Sequence, residues 1–467
     1  MAATHVSPFA GAWYPGRAAE LDHLLDRLFI DSAARTGPAV LPDPVAVVVP
    51  HAGLAYSGTV AAAAFRHLQA AAPRRVVVLA FLHSGGPGGV IAPDVEAYET
   101  PLGRVRVDLS GLPFPRRGVE LACDHSLEIQ LPLLERAVPD AAVAPLYVGH
   151  LGAAARAEAA VQLAAALQPG DILVASTDLT HYGRSFGFQP FPVDEETAGN
   201  LHTLDRGVID AAGSVDPEVF LAELRSGGST TCGSAPVSLL LETLRRLGGE
   251  EIFQEALDYQ TSGDITGDYG HSVGYAALGY FRAGSFALDE HDRRALLDSA
   301  HATLRRLNDS GSERPQPIPD PSGALRRAAP VFVSLHLKGE LLGCIGRLGG
   351  SDALAHSVPE LVLNALHDPR FPARARAPEG VEVEISVLTP MKRLRDASGF
   401  RVREHGAFLE CWGHRGLLLP QVARERGSTA EWFLDALSQK AGLPKAAWRD
   451  PAARLSVFRA QVFSSLS

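Results

Sequence analysis

Cysteine is scarce in this sequence, and its spacing excludes two classes of protein. The 467 residues include four cysteines, Cys123, Cys232, Cys344 and Cys411. No two of them form a CxxC pair, so neither a disulfide framework nor a cysteine-rich zinc module is expected.

Long apolar runs are absent as well. No uninterrupted apolar stretch reaches the roughly 18 residues that indicate a transmembrane helix. The first residues, MAATHVSPFAGAWYPG, lack the basic segment and following apolar segment of a secretory signal. We therefore expect a cytoplasmic protein with no membrane partner.

A sustained basic block is the third missing feature. Lys and Arg number 43 against 53 Asp and Glu, for a net charge of −10. Nucleic acid is therefore not an expected partner. With 46% hydrophobic and 21% charged residues, the composition is that of an ordinary globular protein. The length predicts two or more domains.

The first part of the chain alternates short β-branched runs with longer Ala- and Leu-rich segments of helical period. Strands are predicted at Val45–Val49, Val76–Leu82, Ala142–Val148, Ile172–Ser176 and Val273–Phe281. Helices are predicted at Thr59–Ala71, Ser126–Ala137, Ala153–Leu167, Glu195–Ala212, Pro217–Leu224 and Ala235–Leu247. This alternation predicts an α/β domain with a mixed, largely parallel sheet and helices on both faces.

The sequence changes character after Arg282. Glu290–Leu307 is predicted as an amphipathic helix, and the Pro-, Gly- and Ser-rich residues 309–323 as a loop. Strand-like runs VFVSLHL, LLGCIGRL, VEVEISVL and RGLLLP then alternate with helical segments. A second, α+β domain is therefore expected.

Three residues of the first domain are candidate metal ligands. His51 and His83 follow predicted strands, and Cys232 stands where a helix begins, a position that favours the thiolate. Strand ends of a wound sheet converge on one crevice, so these side chains can meet there. Two imidazoles and one anionic ligand suit Fe(II), Zn(II) or copper. Each residue alone would also fit a structural role in the core.

Four further residues are candidates for proton transfer. His181 lies in the run STDLTHYG, and Asp178 lies three residues before it, where an aspartate often caps main-chain groups. His125 and Glu128 are spaced to share one helical face, so the carboxylate could orient the ring or share a proton. A simple salt bridge at a helix start is the alternative for that pair.

These motifs, in this order, resemble the Memo family. The resemblance rests on PHAGLAYSG, FLHSGGPGGV, YETPLG, CDHSLEIQLPLL, STDLTHYG, TTCGSAPVSLLL and SGDITGDYGHSVGYAAL, and it covers about residues 5–282. It implies a fold like that of the class III extradiol dioxygenases, with His51, His83 and Cys232 as metal ligands. It also implies that His181 is an acid–base residue and that His125 lies in the pocket. A cysteine here takes the position of a glutamate ligand in the dioxygenases, and FLHSGG lacks the usual GPxH form.

The rest of the chain resembles the AMMECR domain, from about Leu288 to Val462. The matching segments are VFVSLHLKGELLGCIGRL, NALHDPRFPA, VEVEISVLTPMKRL, RGLLLPQVA and EWFLDALSQKAGLP. The resemblance assigns the Glu290–Leu307 helix to this domain, which gives domains of residues 1–283 and 284–467. Cys344, expected on an exposed strand-to-loop turn, is a candidate nucleophile. No base is adjacent in sequence, and His414 or Arg415 is the candidate to be brought to it by the fold; a structural Gly-Cys turn is the alternative. LLGCIG here replaces the usual LRGCIG.

Two classes of function remain open at this point. One is a metal-dependent enzyme, Fe(II) being the expected metal and copper or zinc the alternatives, that acts on a small molecule. The other is a module that binds a metal or a peptide without turnover, as the resemblance to adaptor-like Memo proteins implies. The resemblance also implies a radical SAM protein as partner, because the two families form a system with one in prokaryotes.

Overall fold

The computed structural model describes residues 3–350, 352–372, 376–426 and 429–465. The chain divides into two compact units, Met1–Arg282 and Ala283–Ser467. None of the helices in these ranges combines the length and the apolar character needed to cross a membrane.

The first unit contains twelve strands and nine α-helices within the described residues. The strands are β1 (Ala3–Val6), β2 (Pro44–Val49), β3 (Arg75–Ala80), β4 (Val90–Pro93), β5 (Val95–Thr100), β6 (Gly103–Arg106), β7 (Arg116–Arg117), β8 (Ala142–Val148), β9 (Ile172–Ser176), β10 (His181–Tyr182), β11 (Ile252–Thr261) and β12 (Ser272–Arg282). The helices are α1 (Ala18–Thr36), α2 (Leu54–Ala71), α3 (His125–Glu128), α4 (Gln130–Ala137), α5 (Ala153–Ala166), α6 (Thr197–Ala212), α7 (Pro217–Gly227), α8 (Ser234–Arg246) and α9 (Ser262–Thr266).

The main sheet is mixed, with parallel strands at its centre. Its order is β10-β12-β2-β9-β3-β8-β4-β7, and β11 pairs with β12. Strands β2, β9, β3 and β8 are parallel neighbours, whereas β12 joins β2 and β4 joins β8 in antiparallel fashion. The predicted mixed, largely parallel sheet is confirmed. A smaller sheet has the order β1-β5-β6.

Helices cover both faces of the main sheet because its central strands are apolar on both sides. Val47 and Val49 of β2 pack into one core with α1, α2 and α4. Ala46 and Val48 of the same strand pack into a second core with α5, α6 and α8. Successive side chains of a strand point to opposite faces, so the two cores lie on opposite sides.

The second unit is an α+β structure, as predicted. Its strands are β13 (Val331–Leu337), β14 (Glu340–Arg347), β15 (Glu382–Leu388), β16 (Lys392–Arg393), β17 (Gly406–Cys411), β18 (His414–Leu418), β19 (Arg454–Phe458) and β20 (Ala460–Ser464). Its helices are α10 (Glu290–Ser310), α11 (Leu354–Leu366), α12 (Gln421–Arg426) and α13 (Ala430–Lys440). The strands form two four-stranded antiparallel sheets, β14-β13-β15-β20 and β16-β19-β17-β18.

Candidate metal centre

Three adjacent parallel strands end at the same edge of the main sheet and carry the candidate residues there. His51 follows β2 by two residues, Asp178 follows β9 by two, and His83 follows β3 by three. The register pairs Val49 with Ser176 across β2 and β9, which brings these ends level. Side chains separated by up to 127 positions therefore meet in one place.

The structure brings His51, His83 and Cys232 together. One ligand atom from each residue lies within 4.8 Å of the other two, and Cys232 Sγ is 3.3 Å from His51 Nε2. Cys232 reaches this point because Gly233 packs closely against the end of β9. A β-carbon at Gly233 would overlap the Ser176 carbonyl and the Thr177 side chain.

Each imidazole is fixed through its other ring nitrogen. His51 Nδ1 lies 2.9 Å from Ser176 Oγ, and His83 Nδ1 lies 2.8 Å from Asp124 Oδ1. Gln130 in turn donates to Ser176 Oγ at 3.2 Å. Partners of this kind orient metal-binding histidines and leave Nε2 as the ligand atom. The donor set of two imidazoles and a thiol therefore fits Fe(II), zinc or copper.

The environment keeps the imidazole rings of His51 and His125 neutral. Burial, followed by the neighbouring His83, lowers the pKa of His51 to about 3. Burial likewise lowers the pKa of His125 to about 4. Neutral imidazole is the form that binds a metal, so both rings carry a free lone pair at neutral pH.

The predicted low pKa of Cys232 is wrong for the metal-free thiol. Burial, and then the Asp178 carboxylate, raise the pKa of Cys232 well above its ordinary value. The helix α8 start and the main-chain N–H of Asp178, 3.3 Å from Sγ, offset this only in part. A bound cation would displace the thiol proton.

His125 stacks between two other rings at the same site. Its ring lies 4.1 Å from that of His83 at 19° and 4.0 Å from that of Trp13 at 20°. Its Nδ1 is 3.5 Å from Asp124 Oδ1. The structure therefore brings His125 to the centre, with Asp124 as its neighbouring carboxylate.

The expected pairing of Glu128 with His125 is wrong. Among the described residues, the Glu128 carboxylate bonds to His5 Nε2 at 3.1 Å and to Cys123 Sγ at 3.0 Å. Stacking on two rings holds the His125 side chain, while His5 and Cys123 hold the carboxylate. Asp124 has the orienting position that the spacing suggested for Glu128.

Asp178 and His181 lie beside Cys232. One ligand-type atom of each of the three lies within 4.8 Å of the others. The Asp178 carboxylate accepts the main-chain N–H of His51 at 2.8 Å, which is the capping role considered from the sequence. His181 Nδ1 is 3.1 Å from the Leu179 carbonyl, so Nδ1 carries the proton of the neutral ring and Nε2 is free to accept one.

Sequence reasoning missed Asp124, Ser176 and Trp13. Asp124 had a local signal, since it precedes a short polar run as helix caps do, and it accepts the Ser126 N–H at 2.8 Å. The sequence gives no signal for its contact with His83, because the two residues are 41 positions apart. Ser176 ends a predicted strand, a place where a polar residue that follows apolar ones indicates a site.

Comparison with known proteins places this site in a family. The family model described as Memo-like protein matches residues 6–279. The chain belongs to the Memo family. Residues 297–463 match the AMMECR1 model, so the chain is a Memo region fused to an AMMECR1 region.

Curated Memo relatives match over nearly their full length. A MEMO1 family protein of Methanopyrus kandleri is 31% identical over 295 residues, which are 59% of this chain and 98% of the relative. One from Thermotoga maritima is 31% identical over 294 residues, which are 57% of this chain and 95% of the relative.

Among solved structures, the crystal structure of an uncharacterized protein from Pyrococcus horikoshii is similar to part of the chain. The match covers 38% of this chain and 93% of that protein's chain, with 28% identity and a TM-score of 0.36.

In the AMMECR1 region, the predicted turn at Cys344 is wrong. Cys344 lies in the middle of β14, opposite Ser334 of β13. Gly343 before it packs against α11, where a β-carbon would overlap the Ala365 carbonyl. The Gly-Cys pair is therefore part of a close strand–helix contact.

The residues around Cys344 also differ from those expected. Asp368 accepts the Cys344 N–H at 2.9 Å, and Arg370 donates to the Cys344 carbonyl. His414 Nδ1 instead lies 3.2 Å from the Ala441 carbonyl, and Arg415 pairs with Glu410 at 2.9 Å. Those contacts occupy His414 and Arg415, whereas Arg370 and Lys440 interact electrostatically with Cys344.

Proposed function

We propose that the first unit is a metal-dependent oxidoreductase that acts on a small molecule, with His51, His83 and Cys232 holding one divalent metal. Fe(II) is the expected metal, with copper or zinc as alternatives. The observation that carries the proposal is the convergence of these three ligand atoms within 4.8 Å. The hydrogen bonds of Ser176 and Asp124 to the other nitrogen of each imidazole support it.

A bound Fe(II) would supply one-electron redox chemistry and an electron-pair acceptor for a substrate oxygen. The protein's own residues would supply orientation and proton transfer. The His83 side chain is 37% exposed, which gives a solute access to the centre. His51 is 1% exposed and lies on the buried side of the centre.

His181 is the proposed proton donor and acceptor. The Leu179 carbonyl holds its Nδ1, so Nε2 is the atom that exchanges a proton with substrate. Phe186 packs edge-on against the ring at 5.2 Å and limits its rotation. Asp178 fixes the main chain of His51 and lies beside His181 and Cys232.

The test is metal analysis of the anaerobically purified chain, followed by oxygen-consumption assays with catechols and a panel of small metabolites. We expect His181→Gln to keep the metal and to lose turnover, because the amide cannot accept and return a proton. His23→Gln, at an exposed position of α1, is the matched control. Loss of metal together with turnover in His181→Gln would make His181 a ligand and contradict the assignment.

The same assay decides between the enzyme and a non-catalytic module. A wild-type chain that holds its metal and turns over none of the substrates, with or without a radical SAM protein present, would favour the metal- or peptide-binding adaptor. The fusion to an AMMECR1 region supports a shared pathway for the two units, and the radical SAM partner is part of this proposal.

A further inference from the structure

A second group of potential metal ligands lies in the first unit and shares no residue with the His51 centre. It consists of His5 on β1, Cys123 just before α3 and Glu128 at the end of α3. The Glu128 Oε1 atom is 3.1 Å from His5 Nε2 and 3.0 Å from Cys123 Sγ. The sulfur and the imidazole nitrogen are 3.6 Å apart. The three ligand atoms thus form a compact triangle.

The buried carboxylate of this triangle is only half satisfied. Glu128 is 0% exposed, and its Oε2 atom has no hydrogen-bond partner among the described residues. The hydroxyl of Tyr98, whose ring meets that of His5 edge-on at 5.6 Å, also has none in that part of the chain. A buried carboxylate normally has a partner for each oxygen, since removal from water is costly. A cation against the carboxylate would supply the missing partner.

We propose that His5, Cys123 and Glu128 form a second metal site, which binds a zinc-class divalent cation. Thiolate sulfur, imidazole nitrogen and carboxylate oxygen are the three ligand types that zinc accepts, and a solvent molecule would complete four-coordination. The charges balance, because a thiolate and a carboxylate neutralise a doubly positive ion. Solvent reaches the site through His5 and Cys123, both of which are partly exposed.

The position of the site gives the metal a structural role. His5 comes from β1. The other two ligands lie just before and at the end of the single turn of α3, more than a hundred residues later. Asp124 and His125, between Cys123 and Glu128, contact His83 of the first centre. A metal that ties β1 to α3 would therefore steady the residues that orient His83.

The test is the number of zinc ions bound by the full chain, stripped of metal and dialysed against excess zinc. We expect two per wild-type chain and one per chain for His5→Gln and for Cys123→Ser. His23→Gln and Cys344→Ser, which change a histidine and a cysteine outside both groups, are the controls and should bind two. The His51→Ala/Cys232→Ala double variant should keep one zinc, and adding His5→Gln should remove it.

Several outcomes would overturn the proposal. The first is that the His5→Gln and Cys123→Ser chains both bind as much zinc as wild type. The second is that the His51→Ala/Cys232→Ala double variant binds no zinc. Circular dichroism of the metal-free variants checks folding, and His5→Gln decides alone if Cys123→Ser does not fold. The inference is independent of the proposed oxidoreductase, whose failure would appear as undiminished zinc in His51→Ala or Cys232→Ala.

Discussion

At the scale of single residues, Asp124 organises the first centre. Its carboxylate accepts the main-chain N–H of His83 at 2.7 Å, the ring of His83 at 2.8 Å and the N–H of Ser126 at 2.8 Å. Burial alone would raise the pKa of Asp124, but these hydrogen bonds hold it at about 2. The residue is therefore an anion that fixes the ring of a proposed metal ligand and caps α3 at the same time.

We expect Asp124→Asn to weaken metal binding by about 10–100-fold, because an amide cannot accept all these hydrogen bonds and carries no charge. The measurement is a competitive chelator titration in chains that also carry His5→Gln, so that only the first centre contributes. Asp94→Asn, at an exposed carboxylate, is the control. Equal affinity in the Asp124→Asn and control chains would contradict the role.

The sequence points to the proposed metal ligands more clearly than to the residues that hold their rings in place. His51 and His83 could be found because each follows a short apolar run, and parallel strands end together. Asp124 and Ser176 could not be paired with them, since those contacts join different strands and a helix cap. Glu128 was misassigned because an i,i+3 spacing describes one face of a long helix, whereas α3 has a single turn and His5 arrives from β1.

At the scale of elements, Asp205 ties α6 to the main sheet. Its carboxylate accepts the Thr180 N–H at 3.1 Å and the Tyr259 hydroxyl of β11 at 2.8 Å. It also packs against Gly274 of β12, where a β-carbon would overlap Oδ2. Burial raises the pKa of Asp205 from 3.8 to about 6, although the hydrogen bonds and His202 act in the opposite direction.

This raised pKa predicts a pH-dependent stability. The folded chain retains the Asp205 proton between pH 3.8 and about 6, whereas the unfolded chain has lost it. The bound proton therefore contributes to the free energy of unfolding. This contribution is complete below pH 3.8 and is lost as the pH rises through about 6. The loss is about 3 kcal/mol, at roughly 1.4 kcal/mol per pKa unit.

We expect Asp205→Asn to be spared this loss, because its amide cannot ionise. Relative to wild type, its free energy of unfolding should therefore rise between pH 4 and pH 7. Urea unfolding of both full chains, with chelator present throughout, measures the difference. A difference that does not change with pH would show that Asp205 does not titrate in this range.

Most of the elements that were predicted have regular patterns, and most of those that were missed are irregular or short. Strands at Ala142–Val148 and Ile172–Ser176 have the predicted bounds, because each is a continuous apolar run in a buried parallel strand. β11 was missed, since its charged residues and a bulge between Ala256 and Asp258 break the two-residue alternation. α1 was missed as well, although Leu21, Leu25 and Leu28 recur at helical spacing and are buried on one face.

At the scale of the whole molecule, the two units have separate apolar cores. In the second unit, one core packs α10 and α11 against β13 and β15, and another packs α13 against β17 and β19. Potential metal-binding groups of three or more side chains occur only in the first unit, among the residues that the structure describes. Stability of the second unit should therefore not depend on metal.

We expect a fragment of residues 283–467 to fold alone, with its own cooperative thermal transition. Its midpoint should not change on addition of a chelator. Calorimetry of the fragment, with and without chelator, is the measurement. A fragment that shows no transition, or one that melts earlier with chelator, would contradict the independence of the unit.

Ligand variants of the full chain test whether His51, His83 and Cys232 hold a metal. The measurement is metal content per chain, by mass spectrometry after anaerobic purification, for wild type, His51→Ala and Cys232→Ala. We expect each variant to hold one metal fewer than wild type, because each lacks one of the three ligands. If both variants kept the wild-type stoichiometry, the metal would lie elsewhere and the proposed site would be wrong.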